Sequence, residues 1–282
     1  APPCQVGDNQ CPVAAAFNPD EIEARPLDVL ELDGSASRDD LGLSRYSWIV
    51  VDRPEGSMGE VVERFQDIRR PQDGGEADDI STPQAVFFFD VAGRYTFELQ
   101  VADAAGLEAP SEVCPQPAAR VSVNVVPGAD THFQITWDSD AADMDIHLRH
   151  PAAERWGGPM AYALDCYFAN VNPDWGPEGP DGDPSLDIDA TNGFGPENIS
   201  LNAPEITDAI GPYGLGVHFF GPRDLRDVTV TARIFVDGRL SGEFSRLVRE
   251  PGHFWHVAAF DFDGVSGAVV ETNRYYDRLP EE

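Results

Sequence analysis

The sequence predicts an all-β protein built as two β-sandwiches in tandem. Three observations carry this. Short runs alternate apolar and polar residues at period two, Gly/Pro/Asp turns punctuate them, and no segment keeps a helical period over three turns. A chain of 282 residues is long enough for two cores.

Residues 1–16 are Pro-rich, carry Cys4 and Cys11 and show no periodicity, so they read as a tail tethered by a disulfide. Residues 17–127 read as the first sandwich. Leu30 and Leu32 precede the turn Asp33-Gly34-Ser35, and Tyr46, Trp48 and Val50 share one face of the next strand. Tyr95, Phe97, Leu99 and Val101 then alternate with Thr96, Glu98 and Gln100, and Val121, Val123 and Val125 close the set. The run Val126-Pro127-Gly128-Ala129-Asp130 interrupts the pattern and predicts the boundary.

Residues 128–282 alternate again: Phe133, Ile135 and Trp137, then Met144, Ile146 and Leu148, then Val217 and Phe219, then Val228 through Val236, and last Trp255, Val257 and Ala259. Between Asn170 and Pro196 the composition turns to Pro, Gly, Asp and Asn. An irregular segment of that length inside a compact domain is usually functional or flexible, and its acids point to a metal-ordered loop.

The formal charge of −31 comes from 50 acids against 19 basic residues, all of them Arg. So negative a surface repels nucleic acid and anionic membrane, which argues against both as partners. No apolar run approaches the ~20 residues of a membrane helix. Without a basic and apolar signal segment, residue 1 reads as a processed or trimmed start. The four cysteines, Cys4, Cys11, Cys114 and Cys166, are too unevenly spaced for a zinc cluster and read as disulfides of an exported protein. Four cysteines allow three pairings, and sequence does not choose among them.

The acids concentrate in two stretches, Asp138 to Asp145 and Asp181 to Asp189. Each ends in an Asp-apolar-Asp step, which in a strand turns both carboxylates to one face. If the stretches are neighbours, Asp143, Asp145, Asp187 and Asp189 meet with no basic residue between them. At ~4 Å each like-charge pair costs ~4 kcal/mol at an effective dielectric near 20, so a cation or proton must intervene. Asn192 and Glu197 add side-chain oxygens, and Gly193 and Gly195 let the loop bend. Ca²⁺, which accepts six to eight oxygens in loose geometry, fits best. The competing readings are solvated turn and cap acids, and another divalent ion. Asp181 and Asp183 are weaker candidates, as turn residues beside Gly182 and Pro184.

The remaining constellations carry less. His253 and His256 would face opposite sides of a strand, and His147 and His150 have no third ligand in view. There is no Gly-x-Ser-x-Gly turn, and the Gly-rich loops have no Lys for phosphate. Paired carboxylates for glycoside hydrolysis stay open, but with acids throughout the chain their pairing carries no information. Trp48 and Trp137 read as core. Trp156 and Trp175 sit among Gly and Pro, a setting that predicts exposure, and are the candidates for stacking a sugar ring.

Two resemblances refine this reading. Leu32-Asp33-Gly34-Ser35-Ala36-Ser37 leading into Ser44-Arg45-Tyr46-Ser47-Trp48, with Val91-Ala92-Gly93-Arg94-Tyr95-Thr96-Phe97 running into Val101 to Gly106, resembles a PKD domain over about residues 14–127. The resemblance implies an immunoglobulin-like spacer or adhesion module, with a long polar insertion from Arg53 to Ile80 as a departure. It also implies that Cys114, before the last strand, bridges Cys4 or Cys11 near the chain start, leaving Cys166 to pair with the other or stay free. The second half, about residues 131–262, is similar to uncharacterised secreted bacterial β-domains distantly related to pre-peptidase C-terminal modules. Ile135-Thr136-Trp137-Asp138, Asp143 to Leu148, Asp187-Ile188-Asp189, Gly193 to Asn198 and Tyr213 to His218 carry this similarity. It implies a jelly-roll-like sandwich, often calcium-loaded, and gives no role to His218 or Cys166.

The expectation is a non-catalytic, exported surface binding or adhesion protein, ordered by calcium, whose partner is a surface protein or glycan. The alternatives are a carbohydrate-binding module, an accessory region of a secreted hydrolase, and a structural subunit of a surface layer or fibre.

Overall fold

The computed structural model describes residues 5–6, 8–63, 82–157, 164–191, 193–222 and 227–280. Cys4, Asn192 and most of the polar insertion lie outside the described residues. The chain is all-β and divides into two compact units, Ala1–Val126 and Pro127–Glu282. Among the described residues no helix is long and apolar enough to cross a membrane.

The first unit contains β1 (Gln5–Val6), β2 (Asn9–Gln10), β3 (Glu21–Ala24), β4 (Val29–Asp33), β5 (Leu43–Asp52), β6 (Val61–Glu63), β7 (Gln84–Phe88), β8 (Gly93–Asp103), β9 (Glu108–Ala109) and β10 (Ala119–Val125). One sheet runs β3-β10-β8-β5 with β9 on β8, and the other runs β4-β7-β6. All the pairings are antiparallel except β3 with β10. β8 alternates as its sequence requires, with Tyr95, Phe97, Leu99 and Val101 in the core and Thr96, Glu98 and Gln100 half-buried between them. The Tyr95 hydroxyl donates to the Val91 carbonyl at 2.8 Å and sits 3.0 Å from Asp90 Oδ1. Asp90 also accepts from the Ser57 hydroxyl and the Met58 and Gly59 amides, so one buried carboxylate holds the loop before β6. Cys11 and Cys114 form a disulfide across 103 residues and tie the N-terminal segment to the unit.

The second unit contains β11 (Thr131–Trp137), β12 (Ala142–Arg149), β13 (Asp165–Cys166), β14 (Pro184–Ile188), β15 (Glu197–Leu201), β16 (Tyr213–Pro222), β17 (Val228–Val236), β18 (Arg239–Val248), β19 (Phe254–Phe262) and β20 (Gly267–Tyr276). Two antiparallel five-stranded sheets, β14-β15-β11-β17-β18 and β13-β12-β16-β19-β20, enclose a single core. Phe133, Ile135, Met144, Ile146, Val217, Phe219, Val230 and Trp255 meet there with no exposure.

Alternation underestimates how deeply β11 is placed. Every residue of this strand is buried, the polar ones included, because strands pair on both its edges and its second face is also covered. Gln134 donates to Asn198 Oδ1 at 3.0 Å, and His132 Nδ1 lies 3.1 Å from Ser200 Oγ with the Phe235 ring alongside. Burial lowers the His132 pKa from 6.5 to about 4. A histidine held neutral in the fold but protonated in the unfolded chain contributes stability that is complete above pH 6.5. That contribution is lost as pH falls through 4. The shift corresponds to about 3 kcal/mol. Urea unfolding at pH 7.5 and pH 3.5 should therefore show a loss smaller by about that amount in His132→Gln than in the wild type. Equal losses would reject the assignment.

Candidate metal centre

Two loop-forming devices bring the acids together. Asp189 directly follows β14 and Glu197 opens β15, so both stand at the base of one hairpin whose loop spans residues 190–196. Trp137 pins that loop: its Nε1–H donates to the Gly193 carbonyl at 2.7 Å and its amide to the Phe194 carbonyl at 3.1 Å. Gly195 has φ +84°, and a Cβ there would stand 2.9 Å from the Trp137 ring, so only glycine fits between loop and indole.

Asp145 comes from the other sheet. On β12 the even positions Met144, Ile146 and Leu148 fill the core, which turns Asp145 to the opposite face. β13 pairs with β12 only at Leu148 and Arg149. Ahead of these the strand edge carries the Ile146 amide, which donates to Glu197 Oε2 at 2.7 Å. The Ala190 amide donates to Oε1 at 3.2 Å, so a single carboxylate joins the hairpin to the facing sheet.

One oxygen from each of Asp145, Asp189 and Glu197 lies within 4.8 Å of the others. Glu197 and Asp145 are 1% and 2% exposed, while Asp189 opens to solvent. Asp145 Oδ2 has no hydrogen-bond partner. Burial, and then the Asp145 charge, push the Glu197 carboxyl well above the usual range, although the Ile146 amide favours its ionised form. The arrangement is a buried pair of acids with a third at the mouth, all offering oxygen.

The other predicted ligands lie elsewhere. Asp143 shares the outward face of β12 but stands two residues away, opposite Gly221, and belongs to no three-residue donor group among the described residues. Asp187 is likewise outside such a group, and its Oδ2 accepts from the Ser200 hydroxyl at 2.5 Å. A register shift between Leu186 and Ile188 breaks the alternation that would have aligned it with Asp189. Asp183 accepts from the Trp175 and Gly176 amides and closes a turn.

A second donor group includes residues that sequence reasoning passed over: Asp145, His147 and His218 also lie within 4.8 Å of one another. His147 is two residues beyond Asp145 on the same strand face, a spacing visible in the sequence. His218 is the cross-strand partner of Asp145, a relation that only the β12–β16 register reveals.

The expected exposure of Trp156 is corrected. The ring is 4% exposed, packed on Phe254 and His256 and covered by the Arg149 guanidinium 5.0 Å from its centroid, so it offers no face to a sugar. Gly214 and Gly216 make the slot: a Cβ on either would stand 2.9 Å from the indole. Trp175 is half-buried and packs against His150 and Tyr213. Cys166 is buried and free, and burial raises its thiol pKa, which disfavours the thiolate.

No protein-family model matches the chain, and no curated protein matches it. Among solved structures the chain is similar to the D00-D0 domain of intimin, at 12% identity over 84% of this chain and 99% of that one, with a TM-score of 0.26. It is also similar to the sialic acid binding region of the Streptococcus sanguinis SK1 adhesin bound to 3'sLn, at 11% identity over 84% of this chain and 77% of that one, with a TM-score of 0.26. Scores this low carry no argument about fold or function. The fold and site define the class by themselves: an all-β protein of two units, the second holding a converging set of carboxylates.

Proposed function

We propose that the chain is a non-catalytic, exported binding protein whose second unit takes up calcium between Asp145, Asp189 and Glu197. One observation carries the reading: the buried Asp145 and Glu197 and the solvent-facing Asp189 each bring an oxygen within 4.8 Å of the others. A buried pair of acids holds together only around a proton or a cation. All three donors are oxygens and the mouth is open to water, which suits an ion that fills its shell loosely with six to eight ligands.

In this reading the ion links β12 to the β14–β15 hairpin and stiffens the loop of residues 190–196. The Cys11–Cys114 disulfide supports an oxidising location, outside the cell or on its surface. The partner is a surface protein or a glycan. If it is a glycan, groups other than the Trp156 ring must hold it.

Thermal unfolding of the full chain with calcium and with chelator tests this. Calcium at about a hundred times its Kd stabilises the second unit by about 2.7 kcal/mol by mass action. The chelator should therefore lower the transition of residues 127–282 and leave that of residues 1–126 in place. Identical melting under both conditions discards the proposal.

A further inference from the structure

We propose that Asp145, His147 and His218 form a second site, for one transition-metal dication of the zinc type, with Asp165 as the residue that orients His147. The three donor groups lie within 4.8 Å of one another. The His147 side chain is 1% exposed, its ring stacked on Tyr167 with centroids 4.7 Å apart and met edge-on by Phe254 and Trp156. Its Nδ1 lies 2.9 Å from Asp165 Oδ2, which also accepts the Gly157 amide at 2.7 Å. A carboxylate that already accepts from an amide takes the imidazole N–H as well, so Nδ1 carries the proton and Nε2 keeps its lone pair. That Nε2 has no hydrogen-bond partner although it is buried. Leaving a buried acceptor unmet costs on the order of 1–3 kcal/mol, and a metal ion satisfies it.

The spacing of the other two donors points the same way. His218 Nδ1 and Asp145 Oδ2 lie 3.5 Å apart, and that oxygen makes no hydrogen bond. A direct hydrogen bond would bring them to about 2.8 Å. Two ligands of one tetrahedral ion, each at about 2.0–2.1 Å, stand about 3.3 Å apart. Two imidazoles with one carboxylate is a donor set for zinc and its neighbours rather than for calcium. Hydrogen bonding of the outer nitrogen of a ligating histidine to a carboxylate is the usual way its ring is fixed. The His218 side chain is 17% exposed, which gives the ion a route in and leaves a fourth position to water or a partner's donor group. Asp145 is common to both donor groups. The histidines and Asp165 take no part in the calcium set, and Asp189 and Glu197 take none in this one, so variants at His218 and at Glu197 test the two sites separately.

The full chain, stripped by chelation and then held in excess calcium, is titrated with Co²⁺, and the cobalt is displaced with Zn²⁺. One equivalent should bind with the visible absorption of a four-coordinate site, and zinc should abolish that absorption. His218→Ala, at a partly exposed position that spares the packed ring of His147, should abolish the band while circular dichroism stays native. Asp165→Asn should weaken binding about 10–100-fold. Glu197→Gln should keep the band, which separates failure here from failure of the calcium reading. The absence of a cobalt band in the wild type, or unchanged affinity in His218→Ala, overturns the proposal.

Discussion

Glu197→Ala costs the second unit about 4 kcal/mol without calcium and more with it, because the stabilisation by the ion is lost as well, whereas Glu197→Gln stays within about 1 kcal/mol of the calcium-free wild type and no longer responds to the ion. The difference lies in what each replacement leaves behind. Alanine strips the acceptor from two amides, Ile146 at a strand edge and Ala190 at the hairpin base. Each unmet donor costs about 1–3 kcal/mol, and the emptied volume adds to that. Glutamine still presents an oxygen to Ile146, and its amide group can donate towards the Asp145 carboxylate. It also removes one of the three like charges, which offsets the weakened Ala190 contact. With the charge goes most of the attraction for a dication. Denaturant unfolding of both variants, with calcium and with chelator, measures all four values. A Gln variant that keeps the full calcium response would remove Glu197 from the site.

The largest effect expected in the first unit comes from Cys11–Cys114. The bridge closes 103 residues of chain, and a loop of about that size constrains the unfolded chain by up to ~4.7 kcal/mol, with measured gains usually smaller. Replacing both cysteines by alanine should therefore cost the first unit about 4 kcal/mol and lower its melting temperature by roughly 15 °C. The second unit should be unaffected, because its described cysteine, Cys166, is free. A loss under about 1 kcal/mol would mean that packing alone, through Leu32, Phe87, Tyr95 and Phe97, holds the tail and sandwich together.

What the sequence makes legible follows from how local each feature is. The all-β class was readable because strand alternation is local, and β8 shows the alternation without exception from Tyr95 to Val101. Asp145, Asp189 and Glu197 were readable as oxygen donors from the Asp-apolar-Asp steps and the glycines that follow. Period two fixes the face but not the position along it, so Asp143 was grouped with Asp145 although its neighbours are different. Asp187 lies outside the donor group for a related reason: one irregular step against β15 is enough to undo an alignment argued from alternation. Trp156 misled because flanking Gly and Pro look like an exposed loop, while the slot that receives it is made by Gly214 and Gly216 on a distant strand. His218 left no local trace at all. Its place beside Asp145 depends on the β12–β16 register, which shifts between Asp143 and Met144.

Calorimetric titration of the chelator-treated full chain with calcium chloride reads binding at Asp145, Asp189 and Glu197 itself. A saturable signal at one equivalent is expected in the wild type and none in Glu197→Gln. No heat and no uptake in the wild type, under conditions where both units are folded, would contradict it.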